Sequence, residues 1–236
     1  VTGAAAPARR TRADGGTEDV PAATTVALGP GDELRLGTPR HGLRCYVAVS
    51  GGLVVPEVLG SRSTDLLSGL GPPPLEPGTR LPLGPAPGTT RPDHATATPA
   101  PARAPRGAAT EGDGGTELPV SLGPRDSWFD DAAAQLRAGT WTVSPTSNRI
   151  GVRLDGTALR RRAGHRDREL PTEAVVTGAV QVPPDGRPVI FLNDHPTTGG
   201  YPVVAVVHPD ALPLLAQARP GTPVRLNPGG TAPGSA

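Results

Sequence analysis

Gly178-Ala-Val-Gln-Val-Pro-Pro-Asp-Gly-Arg-Pro-Val-Ile-Phe-Leu-Asn-Asp-His-Pro-Thr-Thr-Gly-Gly-Tyr201 holds two apolar, strand-like runs on either side of a Pro-Pro-Asp-Gly turn. Pro fixes the backbone entering a turn and Gly accepts positive φ leaving it, so the chain reverses here and the two runs can pair. The second run empties into a loop carrying Asp194, Thr197, Thr198, Gly199 and Gly200 before Tyr201. Hydroxyl donors and bare backbone amides at a strand end suit a small ligand better than they suit packing. The stretch therefore predicts a β-scaffold with a small-molecule site.

Working outward, a short pattern recurs at Pro30-Gly-Asp-Glu-Leu-Arg-Leu36, Pro77-Gly-Thr-Arg-Leu-Pro-Leu83 and Pro220-Gly-Thr-Pro-Val-Arg-Leu226. Each puts a Pro-Gly turn before a short strand whose apolar residues lie two apart, on one face. Aromatic content is only 3%, so burial rests on Val and Leu, which also favours strands. Two helices are expected. Asp126 is placed to cap Ser127–Ala138, with Trp128, Phe129, Ala132 and Leu136 on one face and Gly139 at its end. Asp210 is placed to cap a second helix through Ala218, with Pro213 tolerated in its first turn. The fold class expected is mainly β, with a few covering helices.

Regular patterning occupies two regions. We expect domains at 1–84 and 117–228, a disordered Pro/Ala/Gly-rich linker at 85–116 and a disordered tail at 229–236. The linker composition buries too little apolar surface to offset its ordering entropy. Residues 1–24 show little strand pattern after Val1-Thr-Gly-Ala4.

Composition excludes several chemistries. All 23 basic residues are Arg. Without Lys there is no P-loop lysine, no Schiff base, no lysine general base and no biotin attachment on these residues. Cys45 is the single cysteine and sits in an apolar run, which predicts a buried, inert thiol and no disulfide. A formal net charge of +1 gives no bulk attraction for nucleic acid. No apolar run approaches 18 residues and no signal-peptide pattern opens the chain, so a soluble cytoplasmic protein without a membrane partner is expected. His195 and His208 lack partners at metal-ligand spacing and are expected at the surface, so no metal site is expected.

Three clusters can carry chemistry. In Gly60-Ser-Arg-Ser-Thr-Asp65, Arg62 can clamp a carboxylate or phosphate, with Ser63 and Thr64 as neutral donors. Alternatively, Ser63, Thr64 and Asp65 cap a turn while Arg62 pairs with Asp65. In Ser147-Asn-Arg-Ile-Gly-Val-Arg153, Arg149 and Arg153 would share a face if both lay in one strand. That makes an anion-facing pair or, for Arg153, a solvated strand residue. The third cluster joins Glu173 and Gln181 to Asp194, Thr197, Thr198, Gly199, Gly200 and Tyr201. Glu173 and Asp194 are the best acid/base candidates, since each adjoins a strand of the second region. The Arg160–Arg162 and Arg166–Arg168 runs read as a solvated loop.

Six segments recur in this order in one family: Gly42-Leu-Arg-Cys-Tyr-Val-Ala-Val-Ser-Gly-Gly52, Leu59-Gly-Ser-Arg-Ser-Thr-Asp65, Gly123-Pro-Arg-Asp-Ser-Trp-Phe129, Ser147-Asn-Arg-Ile-Gly-Val-Arg-Leu154, Gly178-Ala-Val-Gln-Val-Pro-Pro-Asp-Gly186 and Thr197-Thr-Gly-Gly-Tyr-Pro202. The chain resembles the biotin-dependent carboxyltransferase family, also called allophanate hydrolase subunit 2-like, over about residues 26–70 and 118–227. The resemblance implies two cyclophilin-like β-barrel domains, the first incomplete at its N-terminus because the family's opening Gln-Asp-x-Gly-Arg segment has no counterpart here. It implies work as the C subunit of 5-oxoprolinase, inside a complex with the B subunit (the Kip-inhibitor type) and the A subunit, opening a small carboxylated lactam with ATP. Two alternatives are carboxyl transfer to urea from biotin carried elsewhere, and a non-catalytic antagonist that binds a Kip-inhibitor-like partner. Glycine- and hydroxyl-lined strand ends of both halves are expected to converge on one pocket.

Overall fold

A computed structural model describes residues 1–86 and 115–229. Most of the expected linker, 85–116, and of the expected tail, 229–236, lies outside the described residues. Contacts divide the chain into two units, Val1–Ala102 and Arg103–Ala236.

The first unit contains β1 (Thr2–Gly3), β2 (Ala8–Thr11), β3 (Thr17–Val20), β4 (Glu33–Leu36) and β5 (Cys45–Tyr46). Among the described residues these form an antiparallel sheet in the order β3-β2-β4 and a two-stranded sheet of β1 with β5. Two of these strands, β2 and β3, thus occupy a segment whose sequence shows little strand pattern. The reason lies in how β2 and β3 pair. Their register sets Arg9 opposite Asp19 and Arg10 opposite Glu18, and both pairs are ion pairs at 3.0 Å. Opposite charges across the ladder take the place of apolar alternation. Arg10 also reaches Asp32 at 2.6 Å, and Asp32 accepts the amides of Gly29 and Ala13. Cys45 is half-buried rather than buried, and its thiol donates to the Ala4 carbonyl at 3.3 Å.

The second unit is a closed barrel. Its strands are β6 (Thr116–Leu122), β7 (Trp141–Val143), β8 (Gly151–Gly156), β10 (Ala179–Gln181), β11 (Val189–Phe191), β13 (Val203–Val207) and β14 (Pro223–Pro228). They run β10-β11-β8-β7-β14-β6-β13, and β13 pairs back onto β10. Only β14 with β6 is parallel. The opening hairpin forms as its turn demands: Val180 faces Ile190, Gln181 faces Val189, and Gly186 donates to the Pro183 carbonyl. Leu118, Val120, Val152, Leu154, Val180, Ile190, Val204, Val224 and Leu226 fill the interior. Outside the barrel, β9 (Glu173–Ala174) and β12 (Thr198–Gly199) make a separate two-stranded ladder.

The mainly β class holds, with α1 (Ala132–Ala138) and α2 (Leu212–Gln217) packing Leu136 and Leu215 into the core. The helix boundaries differ from expectation. The first helix is interrupted: a 3-10 turn at Asp126–Trp128 gives way to extended Phe129. Asp131, not Asp126, then caps α1 by accepting the Ala134 amide at 3.0 Å. Phe129 is extended and bridges to Arg161, a backbone pairing that a continuous helix would not permit. Asp210 likewise falls inside a 3-10 turn, Pro209–Ala211, and α2 starts without a side-chain cap. All three Pro-Gly motifs turn through positive φ at Gly31, Gly78 and Gly221. Two of them lead into β4 and β14, whereas Pro77–Leu83 makes only an isolated bridge from Leu83 to Leu53.

Candidate functional site

The β9–β12 ladder builds the site. Register sets Gly199 opposite Glu173 and Thr198 opposite Ala174, while the Val175 amide donates to the Thr197 carbonyl. Glu173 is thereby held beside the Thr197–Tyr201 loop. Its carboxylate meets Arg125 through both oxygens, Arg125 Nε donating to Oε2 at 3.1 Å and Nη2 to Oε1. A forked guanidinium–carboxylate pair fixes both groups in orientation as well as in position. Arg125 is anchored in turn by its own amide, which donates to the Val203 carbonyl at 3.1 Å.

Behind this pair stands Trp128. The Arg125 and Arg168 guanidinium carbons lie 6.0 and 5.3 Å from its ring centroid, and the His165 ring lies 4.7 Å away. Attraction between guanidinium and ring face holds the cations here without spending their hydrogen bonds. The arginine-rich run is therefore more than a solvated loop. Arg168 joins this cluster, Arg161 donates to the Val182 carbonyl and Arg162 to the Phe129 carbonyl.

Gln181 closes the other side. It is buried and donates Nε2 to the Tyr201 carbonyl at 3.0 Å. A side chain on Gly199 would place its Cβ 2.5 Å from that nitrogen, so the loop passes Gln181 only because Gly199 has none. Tyr201 is exposed.

Asp194 and Arg149 form a second pair, Arg149 Nε to Asp194 Oδ2 at 2.9 Å, with the Asp194 amide donating to the Arg149 carbonyl. Arg149 precedes β8 instead of lying in it, while Arg153 is exposed on the strand itself, opposite Val189. The two do not share a strand face. In the first unit, Arg62 pairs with Glu57 at 2.8 Å and donates to the Val55 carbonyl, not to Asp65. The Ser63 amide donates to Ser61 Oγ and the Thr64 hydroxyl to the Pro72 carbonyl. Asp65 takes the turn-capping role, accepting the Leu67 amide at 2.8 Å. Among the described residues no group of three His, Cys, Asp or Glu side chains gathers as a metal-ligand set. Nor is any helix there long and apolar enough to cross a membrane.

Arg125 is the functional candidate that residue patterns missed. Its only local signal is Arg directly after Gly123-Pro124 at a strand end. Its partner lies 48 residues away.

The segments that build this site fall within a longer match. A family model described as carboxyltransferase domain, subdomain A and B, matches residues 1–228. The chain belongs to that family. The match to the carboxyltransferase domain takes in residues 1–25 as well, where β1 to β3 form. The C subunit of 5-oxoprolinase from Escherichia coli K12 is 36% identical over 206 residues, covering 83% of this chain and 59% of that protein. The urea amidolyase of Lachancea kluyveri is 31% identical over 219 residues, covering 86% of this chain and 12% of that protein. A crystal structure of the Kluyveromyces lactis urea carboxylase superposes with a TM-score of 0.71 at 25% identity, over 96% of this chain and 21% of that one. The chain thus spans 59% of the length of the curated relatives named as the C subunit of 5-oxoprolinase.

Proposed function

We propose that this chain works as part of the C subunit of an ATP-dependent 5-oxoprolinase, an enzyme acting only as a complex with its A subunit and a Kip-inhibitor-like B subunit. The observation that carries the proposal is the forked Arg125–Glu173 pair beside the Gly199–Tyr201 loop. 5-Oxoproline presents one carboxylate and one lactam. Its carboxylate competes with Glu173 for Arg125, and binding frees Glu173 to handle a proton. Water adds to the lactam carbonyl, the C–N bond breaks, and the nitrogen takes up a proton to give glutamate. Asp194 is the second acid/base candidate. Arg149, Gln181, Thr197, Thr198, Gly199, Gly200 and Tyr201 supply contacts to the substrate, and Arg62, Ser63 and Thr64 remain carboxylate-binding candidates within the first unit.

ATP drives the ring opening in the complex. The Gly199-Gly200 loop runs from β12 into β13 and opens no helix, so it lacks the helix N-terminus that usually cradles phosphates. We accordingly assign the nucleotide to the assembled complex instead of to this chain by itself, in a cytoplasmic setting. Reconstitution with the other two subunits and measurement of 5-oxoproline-dependent ADP release tests the proposal. Glu173→Gln and Arg125→Ala are each expected to lower turnover by about 10²–10³-fold. Unchanged turnover in both would remove the pair from the chemistry.

The identity to urea amidolyase favours a second reading, carboxyl transfer from carboxybiotin to urea. These 236 residues contain no Lys, so in that reading the biotin is carried on other residues. Urea-dependent turnover with a biotinylated carrier, without 5-oxoproline-dependent ADP release, would select it.

A further inference from the structure

The second unit carries a recess of about 470 Å³ that shares no residue with the Arg125–Glu173 cluster. Its polar side chains come from three elements: Ser121 from β6, Arg137 from the last turn of α1, and His208 from the residue after β13. Strand register explains why the first and last of these meet. Ser121 lies opposite Val206 and Val120 opposite Val207, so His208 emerges beside the outward face of β6. Its amide donates to the Pro119 carbonyl at 3.0 Å, which fixes the backbone there. Ser121 Oγ and His208 Nε2 are 3.0 Å apart, a hydrogen bond.

Arg137 brings the charge. Its Nη2 donates to the Pro228 carbonyl at 3.3 Å, which anchors one edge of the guanidinium. A guanidinium has five N–H donors, so the rest stay available for a ligand. No Asp or Glu lines the recess, and among the described residues no carboxylate pairs with Arg137. Arg137 and Ser121 are exposed, so an anion can reach this uncompensated cation from solvent, and the hydrogen-bond donors beside it give the encounter a fixed geometry. The serine hydroxyl adds directionality. With the His208 proton on Nε2, the imidazole donates to Oγ, and the hydroxyl hydrogen can then turn into the recess.

We propose that this recess binds a small oxyanion, a phosphate or carboxylate group, between the Arg137 guanidinium and the Ser121–His208 pair. The pair is a binding device and not a nucleophile with its base. Among the described residues no carboxylate meets the other ring nitrogen of His208 to orient the imidazole as a hydrolytic triad requires.

The test titrates the isotope-labelled full chain with inorganic phosphate, and separately with acetate, at constant ionic strength set by chloride. Amide shifts of Ser121, Arg137 and His208 are expected to saturate with at least one of the two oxyanions, at about 10 mM or below. The two arms show which oxyanion the site prefers. Arg137→Ala is expected to weaken binding about tenfold, and Ser121→Asp, which puts a negative charge in the recess, to abolish the saturable shift. Arg137→Lys keeps the charge, retains part of the affinity, and controls for loss of helix packing. Failure of both oxyanions to saturate the site, or wild-type binding by both Arg137→Ala and Ser121→Asp, overturns the proposal. Neither result bears on turnover at Glu173, so the two readings fail separately.

Discussion

Gln181 is the residue on which the loop around the candidate site turns. It sits in β10, buried, with its amide nitrogen on the Tyr201 carbonyl and against the bare Cα of Gly199. Gly199→Ala brings a methyl 2.5 Å from that nitrogen. The amide must then swing away, leaving the Tyr201 carbonyl and its own N–H groups without their partner. The expected loss is about 1–3 kcal/mol of unfolding free energy, measured by urea denaturation. In a Gln181→Ala background the same substitution should cost much less, because the obstructing group is gone. A penalty of equal size in both backgrounds would mean that Gly199 matters for another reason. A double-mutant cycle separates the two cases. The ion pairs nearby obey a different logic. Arg125–Glu173 and Arg149–Asp194 join residues dozens of positions apart, and only the pairing of β9 with β12 and the approach of the 194–201 loop to β8 bring them together.

Elements in this chain differ in how far local residues determine them. The β10–β11 hairpin was legible because Pro-Pro-Asp-Gly dictates a reversal wherever it occurs, and the Pro-Gly turns before β4 and β14 were legible for the same reason. The start of α1 was not. Asp126 and Asp131 are equally good capping residues by type, and the extended backbone of Phe129, bridged to Arg161, decides between them. Strands β2 and β3 were hidden because their partners are charges. The same charges give the first unit a dependence on acid. The Gly29 amide foremost, and then Arg10, hold the Asp32 carboxyl below the usual Asp range. A folded-state value below the unfolded one stabilises at pH above the ordinary Asp value of about 3.9. That contribution is lost as pH falls through the lower folded value. Shifts of the Ala13 and Gly29 amides, followed by NMR as pH is lowered, should report the release of Asp32. Asp32→Asn should remove that step and lower stability at neutral pH. An acid transition of these amides that survives the substitution would place the sensitivity elsewhere.

Across the whole molecule the apolar residues are unevenly used. The second unit buries Leu118, Leu136, Trp141, Ile190, Leu215 and Leu226 in one continuous core. In the first unit only Ala4, Ala8 and Val20 are buried apolar residues among those described, while Tyr46, Val54, Leu59, Leu67 and Leu75 are exposed. Hydrophobic burial is the main favourable term in folding, so the two units cannot be equally resistant to opening. Surface ion pairs such as Arg9–Asp19 do not make up the difference, each contributing about 0–1 kcal/mol. Hydrogen exchange on this chain should therefore find amides of β2, β3 and β4 among the first to exchange and those of β6, β13 and β14 among the last. Limited proteolysis should cut the first unit while leaving a fragment containing β6 to β14 intact. Matched protection in both units would mean that the exposed leucines and valines of the first are covered in solution, and the difference in burial would then not govern its stability.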